Sequence, residues 1–155
     1  MATDPYAGAL MSVAISLFAL TGCSTLPATD GVAQRIVGAW FVNMPEAPFQ
    51  YHMLIFNADG TMVQSNPDAG DPHTSDSNGM GAWVAEGNHV AGKFMEVTAD
   101  RITRKFASRG EIAFEINVRG DAIKGAGTAR FYDVNGVLNG GPVAFTLSGV
   151  RVKPR

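Results

Sequence analysis

The stretch EIAFEINV, residues 111–118, decides the fold class of this chain. Ile, Phe, Ile and Val occupy every second position, and Glu, Ala, Glu and Asn occupy the positions between them. Because successive side chains of a β-strand point to opposite faces, this pattern predicts a strand with one apolar and one polar face. Arg-Gly-Asp at 119–121 predicts the turn that ends this strand.

Similar runs of β-forming residues recur on both sides of this stretch, and turn-forming residues separate them. The eight predicted strands cover residues 36–43, 49–57, 61–65, 80–86, 89–98, 107–118, 122–132 and 143–152. After residue 34 no segment shows a sustained helical period. We therefore predict an all-β protein, an antiparallel up-and-down barrel of eight strands, since closure removes both unpaired sheet edges. An open sheet and a sandwich are the alternatives.

The composition limits the functional classes that need to be considered. The 155 residues suit one domain. Twelve Lys and Arg face fourteen Asp and Glu, which gives a net charge of -2. A nucleic-acid-binding protein is expected to carry a basic face, so we predict no nucleic-acid partner. Neither a phosphate loop nor a metal or cofactor fingerprint is recognisable, and we predict no metal and no cofactor.

The N-terminal segment has the features of a secretion signal. Residues 7–20 (AGALMSVAISLFAL) are continuously apolar. This run is shorter than the roughly 20 residues of a membrane span and has the length of a signal-peptide core. Residues 1–6 contain no Lys or Arg, although signal peptides usually begin with positive charge. The alternative is therefore an uncleaved apolar helix.

Residues 20–23 (LTGC) resemble the lipobox of bacterial lipoproteins. The resemblance implies cleavage before Cys23 and lipidation of its sulfur, which makes the membrane a partner. Ser24 after the cysteine implies sorting to the outer membrane, so the expected location is the cell envelope, as an outer-membrane lipoprotein on the periplasmic face. The expected division is a signal peptide at 1–22, a tether at 23–34 and a β-barrel domain at 35–155.

Two short motifs at opposite ends of the barrel domain resemble the lipocalins and the wider calycin superfamily. Gly38-Ala39-Trp40 lies in the first predicted strand, and Gly149-Val150-Arg151 lies in the last. In calycins a Trp packs across the closed end of the barrel and an Arg stacks over it. The resemblance covers about residues 35–152 and implies structural roles for Trp40 and Arg151. An ordinary core position is the alternative for Trp40.

A closed barrel of this size has an interior that holds packed side chains or one small ligand. We expect binding or carriage of a small hydrophobic molecule, because the inward positions are mostly apolar. In the second strand the inward set is either Met53 and Ile55 or His52 and Leu54. The candidate ligand-binding residues are Met53, Trp83, Phe94, Phe114, Phe131 and Phe145. A barrel filled by these side chains, with a structural or inhibitory role, is the alternative.

A small barrel enzyme, an isomerase or cyclase acting on a hydrophobic substrate, is the second functional hypothesis. Confinement of the substrate and one acid or base would suffice for such a reaction. The candidate catalytic residues are His52, His73, Glu96 and Tyr132. His73 lies in a polar segment, 65–83, that is rich in Asp, Asn, Ser, Pro and Gly. Irregular spacing of its carboxylates argues against metal binding, and a lid or entrance loop is expected there.

Overall fold

The computed structural model describes residues 31–65 and 71–155. The predicted signal peptide, Cys23 and residues 66–70 of the polar segment lie outside the described residues. A short helix, α1 (Val32–Ile36), precedes nine strands. They are β1 (Gly38–Asn43), β2 (Tyr51–Phe56), β3 (Thr61–Ser65), β4 (Thr74–Asp76), β5 (Gly79–Glu86), β6 (His89–Asp100), β7 (Phe106–Arg119), β8 (Ala122–Tyr132) and β9 (Val143–Arg151).

Eight of these strands form a closed antiparallel barrel, which confirms the predicted fold class. Each strand pairs with its neighbour in the order β1, β2, β3, β5, β6, β7, β8, β9, and β9 pairs back with β1. At this closing seam Trp40 lies opposite Arg151. The alternating stretch lies in β7, where its apolar side chains are buried inside the barrel and Glu115 is exposed outside. The alternation of apolar and polar residues in this stretch therefore determines which face of β7 points into the core.

The first strand begins later than predicted, because α1 ends at Ile36 and β1 begins at Gly38. Val32 and Ile36 lie one helical turn apart and are both buried. The helix contacts β5, β6 and β7 and covers one end of the barrel. One turn of helix has no measurable period in the sequence, so the prediction of a strand from residue 36 and a tether to residue 34 missed it.

The polar segment contains a short strand instead of a single long loop. Asp76 in β4 pairs with Thr98 in β6, and β6 extends to Asp100, beyond the predicted end at residue 98. The Thr98 hydroxyl donates to Asp76 Oδ1 at 2.7 Å. The backbone N–H of Val97 donates to Ser77 Oγ at 3.0 Å. Small polar side chains predict turns, but here they satisfy groups of a neighbouring strand.

The barrel end covered by α1 is closed by a clamp of Arg151 on Trp40. The guanidinium carbon of Arg151 lies 4.3 Å from the centre of the Trp40 ring. Arg151 Nη1 donates to the carbonyl oxygen of Val37 at 2.7 Å, and Nη2 donates to the carbonyl oxygen of Arg35. Trp40 Nε1 donates to the carbonyl oxygen of Ile36 at 2.7 Å. The clamp therefore joins the first and last strands to the chain that leaves α1.

Gly38 makes room for this clamp. Its φ is +126°, a backbone conformation that residues with a side chain rarely adopt. A Cβ added at this position would lie 2.9 Å from Arg151 Nη1. Both the backbone conformation and the close approach of Arg151 therefore require a glycine at the first position of the Gly-x-Trp pattern.

Aromatic rings fill the middle of the barrel. Phe56 packs edge-on against Trp83, with ring centres 6.0 Å apart, and against Phe114 at 6.1 Å. Trp83 Nε1 donates to the carbonyl oxygens of Asn57 and Thr61. With one end clamped and the middle packed, the described part of the barrel leaves space for a guest at the end opposite α1.

Candidate functional site

A cavity of about 190 Å³ lies at the end of the barrel opposite α1. It is bounded by the connection between β1 and β2, by the first residues of β2 and β9, by the last residues of β3, β4 and β8, and by the middle of β6 and β7. Most of the side chains around it are aliphatic or aromatic. The apolar lining residues are Met44, Ala47, Pro48, Phe49, Phe94, Ile112, Ala129, Phe131, Val143 and Phe145.

Two of the aromatic rings lie against glycines of the barrel wall. A Cβ added at Gly127 would lie 2.4 Å from Phe145 Cζ, and one added at Gly79 would lie 2.4 Å from Phe94 Cδ2. Each ring therefore occupies the space that a side chain on the neighbouring strand would take. Because these rings rest on the wall, they leave the centre of this end empty.

One side of the cavity is formed by a hydrogen-bonded pair, Gln64 and His52. Gln64 is 1% exposed and His52 is 8% exposed. The Gly79 N–H donates to Gln64 Oε1 at 3.2 Å, and Gln64 Nε2 lies 2.9 Å from His52 Nδ1. His52 Nε2 lies 2.5 Å from the carbonyl oxygen of Phe49. In the consistent assignment the amide donates to Nδ1, and Nε2–H donates to the carbonyl.

Three carboxylates also line the cavity: Glu46, Asp76 and Glu96. Glu46 accepts hydrogen bonds at 3.0 Å from the Thr146 N–H and from its hydroxyl. The Thr146 N–H is the main reason why the pKa of Glu46 lies below its ordinary value. Glu96 projects over Gly110, since a Cβ added there would lie 3.0 Å from Glu96 Oε1. No lysine or arginine among the described residues lines this cavity.

The six predicted ligand-binding residues occupy three different environments. Phe94, Phe131 and Phe145 line the cavity. Trp83 and Phe114 are buried in the packed middle of the barrel and do not reach it. In β2 the buried set is His52 and Leu54, so Met53 lies on the outer face, opposite Phe41 of β1.

The four predicted catalytic residues are also separated by the fold. His52 and Glu96 line the cavity. His73 is exposed just before β4, where its backbone N–H donates to Asp71 Oδ1 at 2.6 Å. Tyr132 stacks under Arg109, whose guanidinium carbon lies 4.4 Å from the ring centre, and it does not line the cavity. The structure thus brings two of the four together.

Gln64 and Glu46 are site residues that no sequence pattern predicted, and Asp76 was expected only as part of the polar segment at 65–83. Gln64 follows Met62 at the same parity of a short strand, so a polar residue at an inward position was the available signal. Glu46 lies 100 residues from its partner Thr146, and no local pattern connects them.

The part of the chain that the structure describes contains no group of three or more His, Cys, Asp or Glu side chains arranged to hold a metal ion. None of the helical structure in residues 31–65 and 71–155 has the length and apolar character required to span a membrane. The chain matches no protein-family model, and no curated protein or solved structure is significantly similar to it.

Proposed function

We propose that this protein binds a small, largely apolar molecule in the cavity opposite α1. The observation that carries the proposal is an apolar space of about 190 Å³ at an end of the barrel that its own side chains leave unfilled. An apolar cavity of about 150 Å³ in another protein is large enough to bind benzene. The cavity here suits one ring or a branched alkyl group with a short polar end.

The size of the cavity also sets the expected affinity. A guest that buries about 200 Å² of apolar surface gains about 5 kcal/mol at about 25 cal/mol per Å². Ordering of the guest and of the lining side chains reduces this gain. For a neutral guest we expect a dissociation constant on the order of 1 mM.

The clamp of Arg151 on Trp40 supports the calycin-like interpretation, because it closes one end of the barrel and leaves the other for a ligand. Carriage of the ligand at the cell envelope belongs to the same proposal. Its support is the lipobox-like sequence at 20–23, with Cys23 as the lipidated residue. Intact-mass measurement of the protein from its source tests this part, and an unprocessed, unacylated N-terminus would overturn it.

An enzyme acting on an apolar substrate, an isomerase or cyclase, is the second candidate. The observation that favours it is that His52 and Glu96, both ionisable, line the cavity. Both ring nitrogens of His52 lie within hydrogen-bond distance of other groups, which favours a positioning role over proton transfer. Glu96 is then the stronger candidate for a general acid or base.

Titration with neohexyl alcohol, a tert-butyl group on a two-carbon alcohol, tests the binding proposal. Amide chemical shifts of the protein report both the affinity and the location of the probe. We expect saturable shifts around Phe94, Phe131 and Phe145. Ala129→Leu, which fills the buried lining, should weaken binding at least about tenfold, or about 1.4 kcal/mol.

Ala126→Leu is the matched control, because Ala126 lies on the same strand with its side chain on the exposed outer face. It should leave the affinity unchanged. Absence of saturable shifts at about 10 mM probe would refute the proposal, since that is well above the expected dissociation constant. Equal affinity in the Ala129→Leu and Ala126→Leu variants would show that the probe binds elsewhere.

A further inference from the structure

We propose that the ligand of this cavity is a small organic cation, such as a quaternary ammonium or a protonated amine with a short alkyl body. This inference rests on the proposed binding function and specifies its ligand class. Two independent features of the lining carry it. One is the number of aromatic faces, and the other is the sign of the charges.

The aromatic feature is a set of four phenylalanines around one small space: Phe49, Phe94, Phe131 and Phe145. The face of an aromatic ring carries partial negative charge and attracts a cation placed over it. Quaternary ammonium groups are bound in this way by cages of aromatic side chains. Phe94 and Phe145 lie against wall glycines, so the space between the rings is available to a methylated nitrogen.

The charge feature is the presence of Glu46, Asp76 and Glu96 without a compensating cation among the described lining residues. Carboxylates of one sign in a cleft with low-dielectric walls focus the electric potential and raise the local concentration of cations. Two basic side chains of β6 and of the turn after it have other partners. Lys93 pairs with Glu111 on the outer face, and Arg101 Nε donates to two backbone carbonyls.

Two of the three carboxylates are held in position by hydrogen bonds within the protein. The backbone N–H of Thr146 donates a hydrogen bond to the Glu46 carboxylate, and the Thr98 hydroxyl donates one to Asp76 at 2.7 Å. Glu96 projects from β6 into the barrel, over Gly110 of β7. Glu46 and Asp76 are exposed at the rim of the cavity and Glu96 is half-buried, so an anionic ligand would be repelled on entry. A neutral guest would use the apolar walls alone.

Choline and neohexyl alcohol test the inference, because they differ only in the exchange of the quaternary nitrogen for carbon. Calorimetric or chemical-shift titration of the protein with each gives a ratio of dissociation constants. We expect choline to bind at least about tenfold more tightly, which is about 1.4 kcal/mol. Glu46→Gln and Glu96→Gln should each lower this ratio, and the double variant should lower it further, to a value that the four phenylalanines and Asp76 still keep above one.

Glu115→Gln is the matched control, since it removes the same charge from the exposed outer face of β7. It should leave the ratio unchanged. Equal binding of the two probes would overturn the cation proposal and leave the binding function standing. If neither probe binds, both proposals fail. A ratio in the Glu46→Gln, Glu96→Gln double variant equal to that of the wild type would also overturn the assignment of the site.

Discussion

Replacement of Arg151 by alanine is the sharpest test of how the barrel is held closed. The side chain is 21% exposed and makes several contacts at once. Stacking on Trp40 contributes about 1 kcal/mol. Each charged hydrogen bond to the carbonyls of Val37 and Arg35 contributes about 1.5 kcal/mol, because the guanidinium donates in both. The exposed ion pair with Asp121 adds little.

These contacts share one side chain, so their effects are not independent, and we expect Arg151→Ala to lower the free energy of unfolding by about 3 kcal/mol. The corresponding fall in melting temperature is about 10 °C. Equilibrium urea denaturation followed by tryptophan fluorescence measures it, since Trp40 is one of only two tryptophans and lies in the clamp. Arg151→Lys keeps the positive charge but loses the planar guanidinium that stacks on Trp40 and donates to two carbonyls. It should restore less than half of the stability that Arg151→Ala loses.

Arg130→Ala is the control for this measurement, because Arg130 is exposed on the outer face of β8. Its effect should stay within about 0.5 kcal/mol. If Arg151→Ala also fell within about 0.5 kcal/mol of the wild type, the guanidinium would not hold the ends of the barrel together. The structural role assigned to the clamp would then be refuted.

Two further substitutions test other parts of the argument. Gly38→Ala should destabilise the protein by about 2 kcal/mol, because its φ of +126° disfavours any side chain and the new Cβ meets Arg151. Urea denaturation measures this loss. The pKa of Glu46 is lowered by its bonds to Thr146, so its stabilising contribution is present above pH 4.5, the ordinary pKa, and disappears as the pH falls through the lower folded-state pKa. The difference in urea midpoint between wild type and Glu46→Gln should therefore shrink between neutral pH and about pH 3.

Each of these two predictions has its own control. Gly120 also has a positive φ, +58°, but a Cβ added there meets no atom within 4 Å. Gly120→Ala should therefore cost only the backbone strain, about 1 kcal/mol. Equal losses for the two glycines would argue against the steric role of Gly38. Glu115→Gln should show no pH-dependent difference, and a wild type to Glu46→Gln difference that stays constant with pH would refute the role of Thr146.

The fold class was predictable because the sequence patterns that indicate it, alternation within a strand and turn residues between strands, each lie within a short stretch of the chain. Period-two alternation in β7 and turn residues between the strands identified eight elements, and their number and short connections favoured a closed barrel over an open sheet or a sandwich. The helix α1 was missed because Val32 and Ile36 form a single turn. The strand β4 was missed because its Asp and Ser residues bond to β6, a partner that no sequence window contains.

The site was only partly predictable, for a different reason. The alternation of residues along the strands predicted that Phe94 and Phe145 point into the barrel. The sequence does not show at which level along the barrel axis the side chains fill the interior and at which level they leave a cavity. Phe114 has the same parity as the cavity residues in its strand, and it is buried among Phe56 and Phe94 instead. The parity of β2 was ambiguous, because both faces of that strand carry large apolar side chains.

The pairing of β1 with β9 has a consequence for how this protein is made. The hydrogen bond from Arg151 to Val37 spans 114 residues, so the first strand has no partner on one side until the ninth has been synthesised. Until then an unpaired edge is exposed, and such edges associate with other chains. A nascent chain halted before β9 should therefore aggregate or require a chaperone, although most of its sheet can already form.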